Sequence, residues 1–126
     1  MPRVLIVDDD RDLAEYVTDE LRLAGWETGL AYDGVEAILE ILDDDWDVVL
    51  MDIRMPRLDG VNALRIVRRL APDLPVVMFT GQAGQGDIQE SYKLGAVDCL
   101  PKPVSREKLL ATLEKVVSES KLRQAN

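Results

Sequence analysis

The sequence contains no histidine and only one cysteine, Cys99. Without histidine, the chain cannot use imidazole for acid–base catalysis, bind zinc through histidine or carry a phosphohistidine of its own. A single cysteine excludes a disulfide bond within the chain, and we interpret Cys99 as a small core residue rather than a reactive thiol. The chemistry of this protein must therefore come from carboxylates, lysine, threonine or a metal ion that prefers oxygen ligands.

Long hydrophobic runs and excess positive charge are also missing. No apolar segment approaches the roughly 20 residues that a transmembrane helix needs, and the first residues do not resemble a signal peptide. The 15 Lys and Arg residues are outnumbered by 24 Asp and Glu residues, which gives a formal net charge of −9. Such a charge disfavours direct binding to the phosphate backbone of nucleic acids. We therefore expect a cytoplasmic domain that binds neither nucleic acid nor a membrane.

What the sequence does contain is an alternation of short apolar runs with amphipathic segments. Strands are predicted for five such runs: 4–7, 26–31, 48–51, 75–79 and 97–100. Helices are predicted between and after them, with Asp10 and Ser105 as N-caps of the first and last helices and Gly25 at the end of the first. Apolar strands joined by helices are typical of a parallel sheet that is covered on both faces. We predict a doubly wound, flavodoxin-like α/β fold with strand order 2-1-3-4-5, an edge strand at 26–31 and five flanking helices.

The chain is long enough for one domain with one core. We assign residues 1–118 to this domain and residues 119–126 to a polar C-terminal tail that frays or leads into a further segment. The loop after the fourth strand is predicted to run from Gly81 to Gly86, and the fourth helix from Asp87 to Leu94. The pattern leaves open whether the domain acts alone or within a longer protein.

Polar residues stand where the predicted strands end. Asp8 and Asp9 follow the first strand, and Asp52 follows the third. Ligands of open parallel sheets bind at the carboxyl ends of the strands, where the strand order reverses, so we expect these carboxylates to share one site with Thr80 and Lys102 at its other side. Carboxylate oxygens suit Mg²⁺, and a carboxylate can itself be the nucleophile in phosphoryl transfer.

These residues resemble those of a response regulator receiver domain, and the resemblance extends from Val4 to about Val117. The matching segments, in chain order, are Val7-Asp8-Asp9, Met51-Asp52-Ile53-Arg54-Met55-Pro56 with Asp59-Gly60, Phe79-Thr80-Gly81 and Pro101-Lys102-Pro103. The resemblance implies that an aspartate receives a phosphoryl group from the phosphohistidine of a partner histidine kinase or phosphotransfer protein. It also implies an output domain or a target protein that responds to the phosphorylated form, and hence a signalling switch rather than an enzyme in the usual sense.

The resemblance assigns roles to individual residues. Asp52 is the expected phosphorylation site. Asp8, Asp9 and Asp52 are the expected Mg²⁺ ligands, together with the backbone carbonyl of Arg54.

On the opposite side of the expected site, Lys102 pairs with the phosphoryl group, and Thr80 hydrogen-bonds to it and moves when it arrives. The Lys102–Pro103 peptide bond is expected to be cis. The two positions that tune the lifetime of the acyl phosphate in this family are occupied here by Arg54 and Gln82.

One position departs from the family pattern. The fifth strand usually carries Tyr or Phe three residues before the lysine, and the output surface responds to the movement of that ring. Cys99 occupies this position here. We therefore expect the signal to travel through the loop from Gly81 to Gly86 and the helix that contains Tyr92.

Two alternative functions remain open at the level of the sequence. A degenerate receiver could act as a constitutive interaction module, and Cys99 is the residue that favours this interpretation. An aspartyl-phosphate phosphatase of the haloacid dehalogenase type would also use an aspartate at a strand end. That family has a second aspartate two residues later, where this chain has Arg54.

Overall fold

The computed structural model describes residues 1–81 and 84–125. Strands and helices alternate along the chain as β1 (Arg3–Val7), α1 (Arg11–Leu23), β2 (Glu27–Ala31), α2 (Gly34–Asp43), β3 (Val48–Asp52), α3 (Gly60–Leu70), β4 (Val76–Thr80), α4 (Gln85–Lys93), β5 (Asp98–Pro101) and α5 (Arg106–Ala125). The strands form one parallel sheet in the order β2-β1-β3-β4-β5. The predicted doubly wound fold is therefore confirmed, and the weak second strand lies at an edge of the sheet as expected.

The apolar strands bury side chains on both faces of the sheet. Because successive residues of a strand point to opposite faces, Val4 and Ile6 pack against α1 and α5, whereas Leu5 and Val7 pack against the helices of the other face. We call the first buried cluster the α1–α5 core and the second the α2–α4 core. Principal members of the α1–α5 core are Val4, Ile6, Val17, Leu21, Leu50, Phe79, Leu109 and Leu113. Those of the α2–α4 core include Leu5, Val7, Ala37, Val49, Met51, Leu64, Val67 and Met78.

The predicted caps of the first and last helices are confirmed. Asp10 accepts a hydrogen bond from the backbone N–H of Leu13 at 3.2 Å, and the Ser105 hydroxyl oxygen accepts one from Lys108 at 3.1 Å. Such bonds satisfy backbone donors that have no partner within the helix. Gly25 follows α1 with a φ of 94°, a left-handed conformation that glycine adopts without a steric penalty.

The fourth helix begins earlier than the sequence pattern indicated. It starts at Gln85 rather than Asp87, so Gly86 belongs to the helix and not to the preceding loop. The carbonyl of Gly84 accepts hydrogen bonds from the N–H groups of Asp87 and Ile88 at 3.1 and 3.3 Å, which close the first turn. These bonds outweigh the low helix propensity of Gly86.

The polar C-terminal segment is helical throughout its described part. Of the two expectations for residues 119–126, fraying or continuation into a further segment, the structure shows helix rather than fraying at residues 119–125, because α5 continues to Ala125. Ser120 is buried and Val116 and Val117 pack into the α1–α5 core, so tertiary contacts extend the helix beyond its apolar stretch. Within the described residues, no helix combines the length and apolar character that crossing a bilayer requires.

Candidate functional site

Three carboxylates converge where two central strands end. β1 and β3 are neighbours in the sheet, with Val7 paired to Met51, so the residues that come next lie side by side. Asp8 follows β1 directly, and Asp52 is the last residue of β3. One carboxylate oxygen from each of Asp8, Asp9 and Asp52 lies within 4.8 Å of the others. The structure therefore brings together the three acids that the sequence placed in one site.

The three acids differ in their exposure to solvent. Asp8 and Asp52 are almost completely buried, at 1% and 5% exposure, whereas Asp9 is exposed. They line a cleft of about 310 Å³ at the carboxyl edge of the sheet, whose other lining residues are Asp10, Leu13, Arg54, Thr80, Gly81 and Lys102. Burying a carboxylate is costly unless an opposite charge accompanies it.

Lys102 supplies a positive charge to the two buried carboxylates. Its ammonium nitrogen lies 2.6 Å from Oδ2 of Asp8 and 3.3 Å from Oδ2 of Asp52. The same nitrogen lies 4.9 Å from the centre of the Phe79 ring, within the range of a cation–π interaction. One cation thus bridges two anions that would otherwise repel each other.

Burial changes the proton affinity of this site. Burial raises the pKa of Asp52 to about 6, the Lys102 ammonium opposes this rise, and the neighbouring Asp8 carboxylate adds to it. Burial alone would lower the pKa of Lys102, but its hydrogen bond to Asp8 and the charge of Asp52 outweigh that effect and raise it. At neutral pH the resting site therefore contains a charged lysine and an ionised but unusually basic Asp52.

The backbone around Asp52 is fixed by close packing against α3. The N–H of Gly60 donates a 2.7 Å hydrogen bond to the carbonyl of Ile53, and Asp59 caps α3 by accepting from the N–H of Asn62 at 2.9 Å. A Cβ atom at Gly60 would overlap the backbone oxygen of Asp52 and lie 2.8 Å from the Cα of Ile53. Glycine is needed at this position because the helix start touches the backbone of Asp52.

Thr80 and Lys102 form the other side of the cleft, as the sequence predicted. Thr80 is the last residue of β4, is buried, and pairs with Pro101 of β5. Its carbonyl accepts a 2.9 Å hydrogen bond from the backbone N–H of Lys102. The Lys102–Pro103 peptide bond is cis, as the resemblance implied.

Arg54 connects the cleft to α4 through an ion pair that sequence reasoning missed. Its backbone N–H donates to Oδ1 of Asp52 at 3.4 Å, and its Nη2 lies 2.6 Å from Oδ2 of Asp87. An acidic residue in the first turn of a helix was visible in the sequence, but nothing there indicated that it would meet Arg54. Gln82, the other expected tuning residue, lies outside the described residues.

The atypical Cys99 lies in β5 and is half-buried against the α2–α4 core. Burial and the charge of Asp98 raise the pKa of its thiol. Nearby, the hydroxyl of the half-exposed Tyr92 lies 3.5 Å from Oδ1 of Asp98. Packing of Cys99 as a small apolar side chain agrees with the interpretation made from the sequence.

Similarity to known proteins agrees with this geometry. The family model of the response regulator receiver domain matches residues 4–114. The response regulators MprA of Mycobacterium ulcerans and Mycobacterium avium are each 38% identical to this chain, over 95% and 94% of its length. The alignments cover 52% of each relative, so the chain spans about half the length of the curated relatives it matches.

Solved structures show the same fold. A CheY-like receiver domain protein from Methanospirillum hungatei has a TM-score of 0.95 and 28% identity, with 98% of both chains covered. The chemotaxis protein CheY4 of Vibrio cholerae has a TM-score of 0.86 and 34% identity, covering 92% of this chain and 98% of its own. TrrA of Thermotoga maritima, solved in complex with Mg²⁺–BeF, has a TM-score of 0.84 and 26% identity, covering 92% of this chain and 99% of its own.

These similarities do not favour the constitutive interaction module or the dehalogenase-type phosphatase. They extend over nearly all of the fold, and the family match includes the strand ends that form the acidic cleft. We conclude that this chain belongs to the response regulator receiver domain family of two-component signalling.

Proposed function

We propose that Asp52 is the phosphoryl-accepting residue of this receiver domain and that Asp8, Asp9 and Asp52 bind the Mg²⁺ ion that the reaction requires. The observation that carries the proposal is the cluster of three carboxylates within 4.8 Å, with Lys102 in contact with the two buried ones. Asp52 ends β3, which is the middle strand of the sheet.

The residues present fit a Mg²⁺ ion. Carboxylate and carbonyl oxygens are the ligands that Mg²⁺ prefers, and the ion usually retains positions for water and phosphate oxygens. Asp8, Asp9 and Asp52 would supply carboxylate oxygens, and the backbone carbonyl of Arg54 would supply another ligand. A bound Mg²⁺ would neutralise negative charge on the oxygens of the transferring phosphoryl group.

The side chains of the cleft have distinct roles in the proposed reaction. An Oδ atom of Asp52 attacks the phosphorus atom, the bond between phosphorus and the imidazole nitrogen of the donor breaks, and that nitrogen keeps the electron pair. Lys102 pairs with a phosphoryl oxygen, and the Thr80 hydroxyl donates a hydrogen bond to another. Lys102 needs little movement because its ammonium group already lies 3.3 Å from Asp52. Positioning of this kind is the main contribution of a protein to phosphoryl transfer.

Receiver domains of this family are signalling domains rather than classical enzymes. We extend this to propose that the chain catalyses only its own phosphorylation and dephosphorylation, and that the phosphoryl group shifts a conformational equilibrium. We propose a cytoplasmic location for the chain; its proposed partners are a histidine kinase or phosphotransfer protein and, for output, a further domain or a target protein. The net charge of −9 supports the absence of direct nucleic-acid binding by this domain.

The proposal is tested by labelling the protein with phosphoramidate and Mg²⁺ and measuring incorporation by intact-mass spectrometry. The Asp52 carboxylate displaces ammonia from phosphorus in this reaction, so no partner kinase is needed. We expect up to one phosphoryl group per chain in the parent and none in Asp52→Asn. Asp59→Asn is the matched control, because it removes a nearby carboxylate while keeping a side chain that caps α3. Equal labelling of Asp52→Asn and the parent would refute the assignment.

A further inference from the structure

Arg54 contacts the proposed phosphorylation site with its backbone and α4 with its side chain. Its N–H points to Oδ1 of Asp52, and its guanidinium is paired with the carboxylate of Asp87 in the first turn of α4. Arg54 also lines the acidic cleft together with Asp52. A single residue therefore hydrogen-bonds to the proposed phosphoacceptor and forms an ion pair with the first turn of α4.

The contact between Arg54 and Asp87 is suited to exchange. The side chains are 57% and 33% exposed, and ion pairs with this degree of exposure contribute little to stability because water screens them. A phosphoryl group on Asp52 would present a second anion with more charge and with several acceptor oxygens. The planar guanidinium of arginine binds such oxygens through two parallel hydrogen bonds, so a phosphoryl group on Asp52 would compete with the Asp87 carboxylate for Arg54.

We propose that Asp87 is a positioning residue, which holds the Arg54 guanidinium on α4 while Asp52 is unmodified and releases it to the phosphoryl group once Asp52 is phosphorylated. The proposal rests on the phosphoacceptor role of Asp52. It assigns a function to Asp87. It also connects the first turn of α4 to the phosphorylation state of Asp52 without requiring an aromatic side chain at the position that Cys99 occupies.

The released guanidinium would protect the acyl phosphate. In hydrolysis, a water oxygen attacks phosphorus, the bond between phosphorus and the Asp52 oxygen breaks, and the carboxylate keeps the electron pair. The water gives up its proton to solvent, and inorganic phosphate leaves. Arg54 paired with phosphoryl oxygens occupies space through which water approaches, so the lifetime of the acyl phosphate depends on how strongly Asp87 competes for Arg54.

A second ion pair of the same kind provides a control. Arg65 of α3 and Glu90 of α4 lie 3.1 Å apart, and their side chains are 53% and 38% exposed. This pair joins α4 to α3, but neither residue lines the acidic cleft. Removing the charge of Glu90 is therefore expected to break a comparably exposed ion pair of α4 without releasing Arg54.

The experiment measures the half-life of the phosphorylated protein after removal of phosphoramidate, in the parent, Asp87→Asn, Arg54→Ala and the double variant. Asp87→Asn frees Arg54, so we expect the half-life to lengthen by roughly two- to fivefold, the range set by the loss of an exposed ion pair. Arg54→Ala is expected to shorten it. The double variant is expected to match Arg54→Ala, because Asp87 acts only through Arg54.

Two further variants separate positioning from a structural role. Asp87→Glu keeps the negative charge and is expected to restore the half-life of the parent, whereas Glu90→Gln is expected to leave it unchanged. In the parent, the side-chain NMR signal of Arg54 is expected to shift when Mg²⁺ and beryllofluoride, a phosphoryl mimic, are added. In Asp87→Asn, that signal is expected to differ from the parent before the addition.

The outcomes distinguish this proposal from the proposed function. If the parent is not labelled at Asp52, both are overturned. If labelling depends on Asp52, the phosphoacceptor role stands. The positioning role of Asp87 is then overturned if Asp87→Asn shortens the half-life, or if it changes the half-life equally in the parent and in Arg54→Ala. A change in Glu90→Gln as large as that in Asp87→Asn would also overturn it, since the effect would then reflect attachment of α4 alone.

Discussion

The ammonium nitrogen of Lys102 lies 2.6 Å from Oδ2 of Asp8, a residue 94 positions earlier in the chain and almost completely buried. The contact joins the loop after β5 to the end of β1 and holds Lys102 against the proposed phosphoacceptor. A buried carboxylate that loses the cation paired with it becomes an uncompensated charge. The resting domain therefore depends on Lys102 for stability as well as for the proposed chemistry.

Lys102→Ala is expected to destabilise the metal-free protein by about 2–4 kcal/mol at pH 7, because Asp8 and Asp52 then lose the ammonium group that contacts both of them. Urea denaturation followed by circular dichroism measures the change in the free energy of unfolding. Lys108→Ala is the control, since Lys108 is exposed on α5 and its loss is expected to change stability by less than about 0.5 kcal/mol. Equal decreases in the free energy of unfolding of the two variants would contradict a stabilising role for the contacts of Lys102 with Asp8 and Asp52.

Asp52→Asn is expected to stabilise the metal-free protein at neutral pH. The pKa of Asp52 is raised from 3.8 to about 6 in the folded state, so the folded protein binds more protons than the unfolded chain within that window. The parent therefore loses stability as the pH rises through the window, and the neutral asparagine does not. After allowance for solvent screening, we expect a difference of about 1–2 kcal/mol above pH 6 and none below pH 4.

Urea denaturation of the parent and Asp52→Asn between pH 4 and pH 8 measures this difference. Added Mg²⁺ is expected to stabilise the parent and to have a much smaller effect on Asp52→Asn, because the variant lacks one of the proposed ligands. A stability difference that is the same at every pH would show that the ionisation of Asp52 does not cause it.

Gly60→Ala is expected to destabilise the domain by about 3 kcal/mol and to reduce labelling by phosphoramidate, because the new methyl group would overlap the backbone oxygen of Asp52. Gly86→Ala is the matched control. Gly86 lies in α4 with open space around its Cβ position, so alanine is expected to stabilise the protein by about 0.5–1 kcal/mol. Thermal unfolding and labelling measure both effects, and normal labelling of Gly60→Ala would contradict the close fit at Asp52.

The thiol of Cys99 is expected to react slowly with a thiol reagent at pH 7. Burial raises its pKa, so the reactive thiolate is scarce at this pH in the folded state. The rate of modification by iodoacetamide, followed by mass spectrometry, is expected to be lower than in urea-unfolded protein and to rise as the pH is increased. Equal rates in folded and unfolded protein would show that packing does not protect the sulfur.

The local patterns of the sequence were sufficient to predict the fold and to bring Asp8, Asp9, Asp52, Thr80 and Lys102 to one cleft. Five apolar runs defined the strands, and the polar residues that follow them, Asp8, Asp52, Thr80 and Lys102, lie at one edge of the sheet. This succeeded because strand ends in a parallel sheet share one edge, so position in the chain determines position in space.

Contacts that depend on how a loop is oriented, and the exact ends of helices, could not be predicted in this way. The ion pair between Arg54 and Asp87 depends on how a loop is oriented toward α4, and no periodicity encodes that orientation. The extension of α5 to Ala125 depends on burial of Ser120 against the rest of the fold, which outweighs the polar composition of the segment. The early start of α4 likewise depends on backbone hydrogen bonds to Gly84 rather than on side-chain pattern.

The central sheet also separates the α1–α5 core from the α2–α4 core, with alternate residues of each strand committed to one side or the other. Among the described residues the two clusters share no member, and free-energy changes at sites without shared contacts usually add. A substitution such as Leu113→Val in one core should therefore not alter the change in the free energy of unfolding that a substitution of Leu64 causes in the other core. The residues of each core can therefore change without changes in the other core. The outer surfaces of the helices on the two faces can then acquire different binding preferences while the residues at the strand ends stay the same.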